Sequence, residues 1–270
     1  MNRLRLLVID PQNDFMDIAG AALPVRGADA DMTRLAGFID TLGSRIDDIV
    51  VTLDSHASVG IERTTFWVTA AGEAVAPFTA ITAADVRAGT CGPRDAARRP
   101  ETLAYLDALE SGSGRTLIVW PVHCVLGTWG HNIHGALAHS LAAWEFAHAR
   151  SCDKLLKGLN PMTEQYSAFR AEVPRADDVR TQANTDLLSR LAAGDEWLVV
   201  AGEALSHCVA ASGEDMLAHM GSTRLHNTVF LTDCMSPVDG FETAGQQFLA
   251  RLQGRGVRTM TTAQALEALA

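Results

Sequence analysis

The sequence predicts an α/β protein: a doubly wound, mostly parallel sheet with helices on both faces. Three observations point there. Short apolar runs alternate with helical patterns from end to end; several strand candidates are apolar at consecutive positions; and no Pro/Gly/Ser linker, low-complexity tract or repeat breaks the alternation. A strand apolar at successive positions is buried on both faces, the situation inside a parallel sheet. Strands interleaved with helices then need right-handed crossovers, which place helices on both sides. With 270 residues, 47% of them hydrophobic, the chain can bury a full core, and residues 1–270 read as one domain.

Taken in order, Leu4–Ile9 is an apolar strand that stops at Asp10-Pro11. Asp29–Ser44 has helical spacing, and Asp48–Leu53 is the second strand. Residues Ala57–Arg115 are rich in Ala, Gly and Thr and weakly periodic, with Glu101–Glu110 as the one clear helix. A stretch this long in a compact domain is usually a lid, a pocket wall or an oligomer contact. Strands follow at Thr116–Trp120 and Lys154–Lys157, then a helix at Asn184–Ala193 and a strand at Trp197–Ala201. Ser206 is a candidate N-cap for a helix over Ser206–Gly221, whose Val209, Met216, Leu217 and Met220 lie along one face. Strands at Thr228–Thr232 and Val257–Thr259 and helices at Gly240–Gln253 and Thr262–Leu269 complete the pattern.

Composition excludes several partners. The formal net charge is -10, with no Lys/Arg cluster, which argues against nucleic acid and against an anionic membrane surface. The opening apolar run ends after a few residues, too short for a signal peptide or a membrane span. Five cysteines, odd in number and without a CxxC pair, fit a reduced cytoplasmic protein rather than a disulfide framework.

In open parallel sheets, ligands bind beyond the carboxyl ends of the strands. The polar residues expected at that rim are Asp10, Asp54, His56, His123, Lys157 and Cys208. Cys208 falls in the first turn of its helix, where unpaired N–H groups and the helix dipole favour an anion and lower a thiol's pKa. Taken alone it is as readily a small apolar residue under a helix. Asp10 alone reads as a turn residue, and Lys157 alone as a lysine reaching solvent. Together they make chemical sense. A carboxylate can take the thiol proton and return it to a leaving amine, while an ammonium steadies both charges. Backbone N–H groups at Ala204 and Cys208 would form a hole for the oxyanion. Asp54 and His56, two apart in an extended segment, face one side; with His123 they offer one oxygen and two nitrogens to an open Zn²⁺, Fe²⁺ or Mn²⁺ site. His131, His134, His139 and His148 lie on a polar, Ala-rich stretch and read as solvent-facing.

Five blocks resemble the nicotinamidases, members of the isochorismatase-like cysteine hydrolases. They are DPQNDF at Asp10–Phe15, VVTLDSH at Val50–His56, WPVHCVLGTWG at Trp120–Gly130, KG…YSAF at Lys157–Phe169 and GEALSHCV at Gly202–Val209. Their order matches across most of the chain. The resemblance implies a three-layer α/β/α fold, isochorismatase-like, and hydrolysis of a carboxamide to acid and ammonia through a thioester on Cys208. Asp10 would be the base and Lys157 its partner. Asp54, His56 and His123 would hold one divalent metal, zinc first, near the substrate's ring nitrogen. Phe15, Trp120 and Tyr166 match aromatic residues that line the ring pocket, and a cis peptide is implied between Glu203 and Ala204. A homo-oligomer is implied as well, with residues 57–115 a candidate interface.

Departures fall on the pocket wall. Glu203 stands where Val or Ile is usual, Ser206-His207 replaces the usual pair before the cysteine, Ser55 replaces an aromatic, and the HxSF element reads ERTTFW. Isochorismatases proper lack the cysteine, which sets that branch aside. The substrate expected is therefore nicotinamide in a cytoplasmic NAD-salvage role, with another small amide, carbamoyl or ureido, as the alternative. A metallohydrolase using metal-bound water and a non-catalytic binding protein are the competing classes.

Overall fold

A computed structural model describes residues 3–269. In chain order the elements are β1 (Leu4–Ile9), α1 (Ala28–Leu42), β2 (Ile46–Asp54), β3 (Trp67–Thr69), β4 (Thr79–Ile81), α2 (Ala83–Ala88), β5 (Cys91–Pro93), α3 (Arg99–Gly112) and β6 (Leu117–Val119). There follow α4 (Gly135–His148), β7 (Asp153–Lys157), α5 (Thr185–Ala192), β8 (Trp197–Gly202), α6 (Ala210–His219), α7 (Ser222–His226), β9 (Thr228–Leu231), α8 (Glu242–Gly254), β10 (Arg258–Met260) and α9 (Thr262–Leu269).

Six strands form one sheet in the order β10-β9-β8-β1-β2-β7, every neighbouring pair parallel. The chain starts in the middle at β1, winds outward through β2 to β7, then returns to the other side of β1 and winds out through β9 to β10. Its direction reverses between β1 and β8. Beyond the carboxyl ends of two such strands the crossovers diverge and leave a crevice.

Alternation along β1 builds the layers. Leu4, Leu6 and Val8 pack with Leu35, Phe38 and Ile39 of α1, Leu141 and Trp144 of α4, and Leu269 of α9. On the opposite face, Leu7 and Ile9 meet Leu191 of α5, Met216 and Leu217 of α6, and Phe248 and Leu252 of α8. Val209, Met216, Leu217 and Met220 are all buried, as their spacing predicts. Helix α5 begins where Asn184 Oδ1 accepts the Leu187 N–H at 3.0 Å, capping an otherwise unpaired donor. The close approach of β1 and β8 depends on Gly202, whose φ is +121°. A Cβ there would lie 2.0 Å from the Ile9 carbonyl oxygen, so only glycine fits.

Two expectations need correction here. Thr116–Trp120 is not part of the parallel sheet: its core, Leu117–Val119, pairs antiparallel with Thr79–Ile81. An apolar run encodes burial but not its pairing partner, and this one is buried by the 57–115 segment. That segment has its own core, with Ile61, Phe66, Trp67, Ile81, Val86, Leu106 and Leu109 packed on Leu117 and Val119. Its ribbons are β3 with β5 and β4 with β6. Secondly, the stretch read as polar contains α4, and His131 and His134 are buried rather than solvent-facing. The buried stripe Leu137, Leu141 and Trp144 carries the helix, while alanines dilute the pattern around it. His134 Nε2 lies 2.9 Å from Asp29 Oδ1 and His131 Nε2 2.9 Å from the Ser55 hydroxyl.

Candidate functional site

Strand ends deliver the site. Asp10 follows β1 directly, Asp54 ends β2, Lys157 ends β7, and Cys208 follows β8, so four of the expected residues meet beside the β1/β8 reversal. All four are buried. Asp10 has φ +45°, a conformation that Asp tolerates better than most residues. Its N–H reaches Thr52 Oγ1 at 3.0 Å, and the Thr52 hydroxyl donates back to Asp10 Oδ1 at 2.6 Å. These bonds fix the carboxylate and leave Oδ2 facing Lys157, whose Nζ is 2.9 Å away.

Lys157 is the hub. Its ammonium also lies 2.9 Å from Asp54 Oδ1, 3.0 Å from the Gln165 carbonyl oxygen and 3.5 Å from Cys208 Sγ. Burial opposes a buried charge, yet the neighbouring carboxylates, Asp10 first and then Asp54, hold the ammonium well above the usual lysine range. Burial pushes the Asp10 carboxyl up against the pull of Lys157, and the Asp54 charge adds to the rise.

Cys208 differs from its expectation. The residue at the start of its turn is Ala204, with no side-chain cap, and Ser206 lies inside the turn instead. There the Val238 N–H donates to Ser206 Oγ at 3.0 Å, and that oxygen sits 2.9 Å from His207 Nδ1. Leu205–Val209 forms one π turn, closed by the Val209 N–H on the Ala204 carbonyl at 3.2 Å, before α6 begins. The thiol is not held ionised. Burial drives it well above the usual thiol range against the pull of Lys157, and the charges of Asp10 and Asp54 add to the rise. The peptide between Glu203 and Ala204 is cis. Among the described residues, the Ala204 N–H meets no backbone or side-chain acceptor.

Asp54, His56 and His123 converge: one ligand atom from each lies within 4.8 Å of the others. Both imidazoles aim Nε2 at one oxygen, Asp54 Oδ2, at 2.7 Å for His56 and 3.3 Å for His123. Each Nδ1 faces a second group, Glu62 Oε1 at 3.3 Å behind His56 and the Pro121 carbonyl at 2.8 Å behind His123. Two imidazoles and a carboxylate, with an outer acceptor at each Nδ1, suit a divalent metal. Burial, the Arg63 charge and His56 push His123 down to about 3 against the pull of Asp54, so it stands neutral, the form that donates a lone pair. Gln12 locks the Asp54 backbone from both sides, its Nε2 donating to the carbonyl at 2.8 Å and its Oε1 accepting the N–H at 2.7 Å.

The aromatic residues divide. Phe15 packs against His123, ring centroids 5.3 Å apart, while Trp120 and Tyr166 stand edge-on at 6.4 Å, joined by a 3.0 Å bond from Trp120 Nε1 to the tyrosine oxygen. His207 and Phe241 complete the second group, His207 lying 5.0 Å from Trp120 and 4.7 Å from Phe241. Phe78, from the 57–115 segment, meets Trp120 at 5.7 Å. Phe241 and Thr52 escape sequence reasoning because each is ordinary in its local context, and Glu62 and Arg63 show there only as a departure in the pocket wall.

Glu203, where the resemblance leads one to expect Val or Ile, is fully buried. Its Oε2 accepts the Ser236 N–H at 3.0 Å, and Ser236 Oγ donates to Asp31 Oδ2 at 2.6 Å. Burial, then the charge of Asp31, raises the Glu203 carboxyl well above its ordinary 4.5, so the folded protein keeps it protonated where the unfolded chain has released the proton. Stability from this group is complete below about pH 4.5 and is lost as pH rises through the raised folded value. Glu203→Gln, permanently neutral, should therefore be more stable than wild type at pH 8 by about 1–3 kcal/mol. Urea midpoints at pH 5 and pH 8 test this; a variant advantage that does not grow with pH contradicts it.

No protein-family model matches the sequence, and no curated protein matches it either. Solved structures do. The chain is similar to a nicotinamidase/pyrazinamidase of Acinetobacter baumanii at 20% identity and TM-score 0.65, covering 98% of each chain. It is similar to the yeast nicotinamidase Pnc1p at 20% identity and TM-score 0.64, over 95% of this chain and 99% of that one. The pyrazinamidase of Pyrococcus horikoshii, solved in complex with zinc, matches at 19% identity and TM-score 0.56, over 96% and 99%. The chain therefore has the three-layer α/β/α fold seen in these nicotinamidases and pyrazinamidases.

Proposed function

We propose that this protein is a cysteine amidohydrolase that converts a small aromatic carboxamide, nicotinamide first, to the acid and ammonia. The observation that carries the reading is the position of Lys157 Nζ, within 3.5 Å of Cys208 Sγ and 2.9 Å of both Asp10 and Asp54. One ammonium thus ties a thiol and a base to a carboxylate of the candidate metal cluster, an arrangement with no evident structural purpose. The shared fold with nicotinamidases supports it.

Because the resting thiol is protonated, proton loss accompanies attack. Asp10, its pKa raised, takes the proton as Cys208 Sγ bonds to the amide carbon, and the carbonyl oxygen becomes an oxyanion facing the N–H groups of Ala204 and Cys208. The C–N bond then breaks, Asp10 returns the proton, and ammonia leaves a thioester on Cys208. Asp10 next deprotonates a water that attacks the thioester, giving the acid and restoring the thiol. Lys157 offsets the charge on Asp10 and on sulfur throughout. Asp54, His56 and His123 would hold a divalent metal, zinc with iron or manganese as alternatives, that supplies an anchoring Lewis acid for the substrate ring. The zinc complex of the Pyrococcus enzyme supports that choice. Phe15, Trp120 and Tyr166 would flank the ring.

Ammonia release across nicotinamide, pyrazinamide, benzamide and ureido compounds, with metal content measured on the same sample, tests the reading. Silence across the panel removes it; a ureido preference moves the substrate to the alternative class. Asp10→Asn should lower kcat by about 10²–10⁴-fold. The carboxyl of Asp10 sits above its ordinary 3.8, because burial and Asp54 outweigh Lys157. The base works only when ionised, so kcat/KM should fall on the acid side at a pH above that value. That acid limb should vanish from the residual activity of Asp10→Asn.

A further inference from the structure

We infer that the adjacent residues Glu62 and Arg63 are opposed positioning residues for the metal: Glu62 strengthens its retention through His56, and Arg63 weakens it through His123. The inference rests on the reading that Asp54, His56 and His123 hold a divalent cation. Glu62 and Arg63 are both essentially inaccessible to solvent, at 2% and 0% exposure, in a segment otherwise outside the parallel sheet. Glu62 Oε1 lies 3.3 Å from His56 Nδ1, and Arg63 Nη1 lies 2.9 Å from His123 Nδ1. The two are paired to each other at 3.0 Å, Arg63 Nε to Glu62 Oε1. Glu62 Oε2 and Arg63 Nη2 are buried with no hydrogen-bond partner, so the pair is not a self-contained structural bridge. Gly60 makes room for it, since a Cβ there would meet the Glu62 carboxylate at 2.6 Å.

A neutral imidazole carries one proton, and a metal takes the nitrogen that lacks it. At His56 both ring nitrogens face carboxylates, Asp54 on Nε2 and Glu62 on Nδ1. With the proton on Nδ1, donated to Glu62, Nε2 is left bare toward the cluster. Glu62 therefore favours the form that binds, and its charge makes the ring a stronger donor. His123 is the reverse. Its Nδ1 meets the Pro121 carbonyl at 2.8 Å, which can only accept, and Arg63, which can only donate. Donation to Pro121 leaves Nε2 bare. Acceptance from Arg63 puts the proton on Nε2, facing Asp54, and blocks that ligand. The guanidinium also repels a cation at the cluster.

Zinc dissociation constants measured at one pH by chelator competition test the inference. Glu62→Gln, the same shape without the charge, should weaken zinc binding about 10–100-fold. Glu62→Asp, which keeps the charge, should fall between it and wild type. Arg63→Gln should bind zinc more tightly than wild type. Folding is checked on each variant by thermal melts in chelator. If Arg63→Gln does not fold, the ranking of Glu62→Asp between wild type and Glu62→Gln decides. Equal zinc affinity for wild type and Glu62→Gln, or a weakening by both Gln variants, overturns the proposal. Absence of zinc binding by wild type instead sinks the metal reading beneath it, and so tells the two failures apart.

Discussion

Cys208→Ala should abolish amide hydrolysis, lowering kcat by about 10⁴-fold or more, while leaving the fold nearly as stable as before. The loss is large because nucleophile and base act as a unit, so removing one wastes the other. The fold survives because the thiol is uncharged at rest and its polar contacts are modest, with Lys157 Nζ at 3.5 Å and with the Asp10 carboxyl. Removing it leaves the buried charges paired: Lys157 keeps Asp10 and Asp54, each at 2.9 Å. Ammonia release and a thermal melt on the same preparation make the measurement. Intact mass during turnover should show the wild type, and not the variant, carrying the acyl group. Retention of activity by Cys208→Ala would hand the reaction to a metal-bound water and end the thioester proposal.

Lys157→Met should fail on both counts. Methionine nearly preserves volume and removes the charge, which leaves two buried carboxylates facing each other. Breaking a buried ion pair in this way costs about 3–5 kcal/mol. For a chain of this size that is a fall in Tm of roughly 10 °C. Protonation of one carboxylate relieves the repulsion, so the stability gap between variant and wild type should narrow as pH is lowered. Activity should drop as well, since the raised Asp10 carboxyl would then hold its proton when it must accept one. Melts across pH, with and without added zinc, separate these effects. A variant as stable as wild type at pH 8 would show that Lys157 is not the hub described above.

Much of this was legible in the residues. Consecutive apolar positions at Leu6–Ile9 and Leu198–Ala201 can be satisfied only by burial on both faces, and the parallel sheet follows. Asp10 and Asp54 stand out because a charge directly after a buried run needs a reason, and Lys157 because it follows the apolar pair Leu155 and Leu156. Pairing was not legible. Leu117–Val119 is as apolar as a sheet strand, yet its partner is Thr79–Ile81, chosen by the core that the intervening segment builds. Helix α4 was hidden because its buried stripe rests on Leu137, Leu141 and Trp144 alone. At Cys208 position misled. The start of a helix lowers a thiol's pKa only where solvent or cations dominate, and here complete burial beside Asp10 and Asp54 decides the sign. Glu62 and Arg63 could not be seen to serve the histidines, because their spacing to His56 and His123 is set by tertiary folding.

The reversal of winding between β1 and β8 sets when reactivity can arise. Asp10 and Cys208 follow strands laid side by side although much of the polypeptide separates them, with β2 and β7 made in between. A ribosome-bound intermediate ending before β8 holds an aspartate with nothing to activate, and a fragment beginning after β2 holds a thiol lacking its proton acceptor. On the proposed mechanism, chemical competence therefore arrives when β8 docks beside β1, and a partially synthesised or clipped form lacking either strand should release no ammonia.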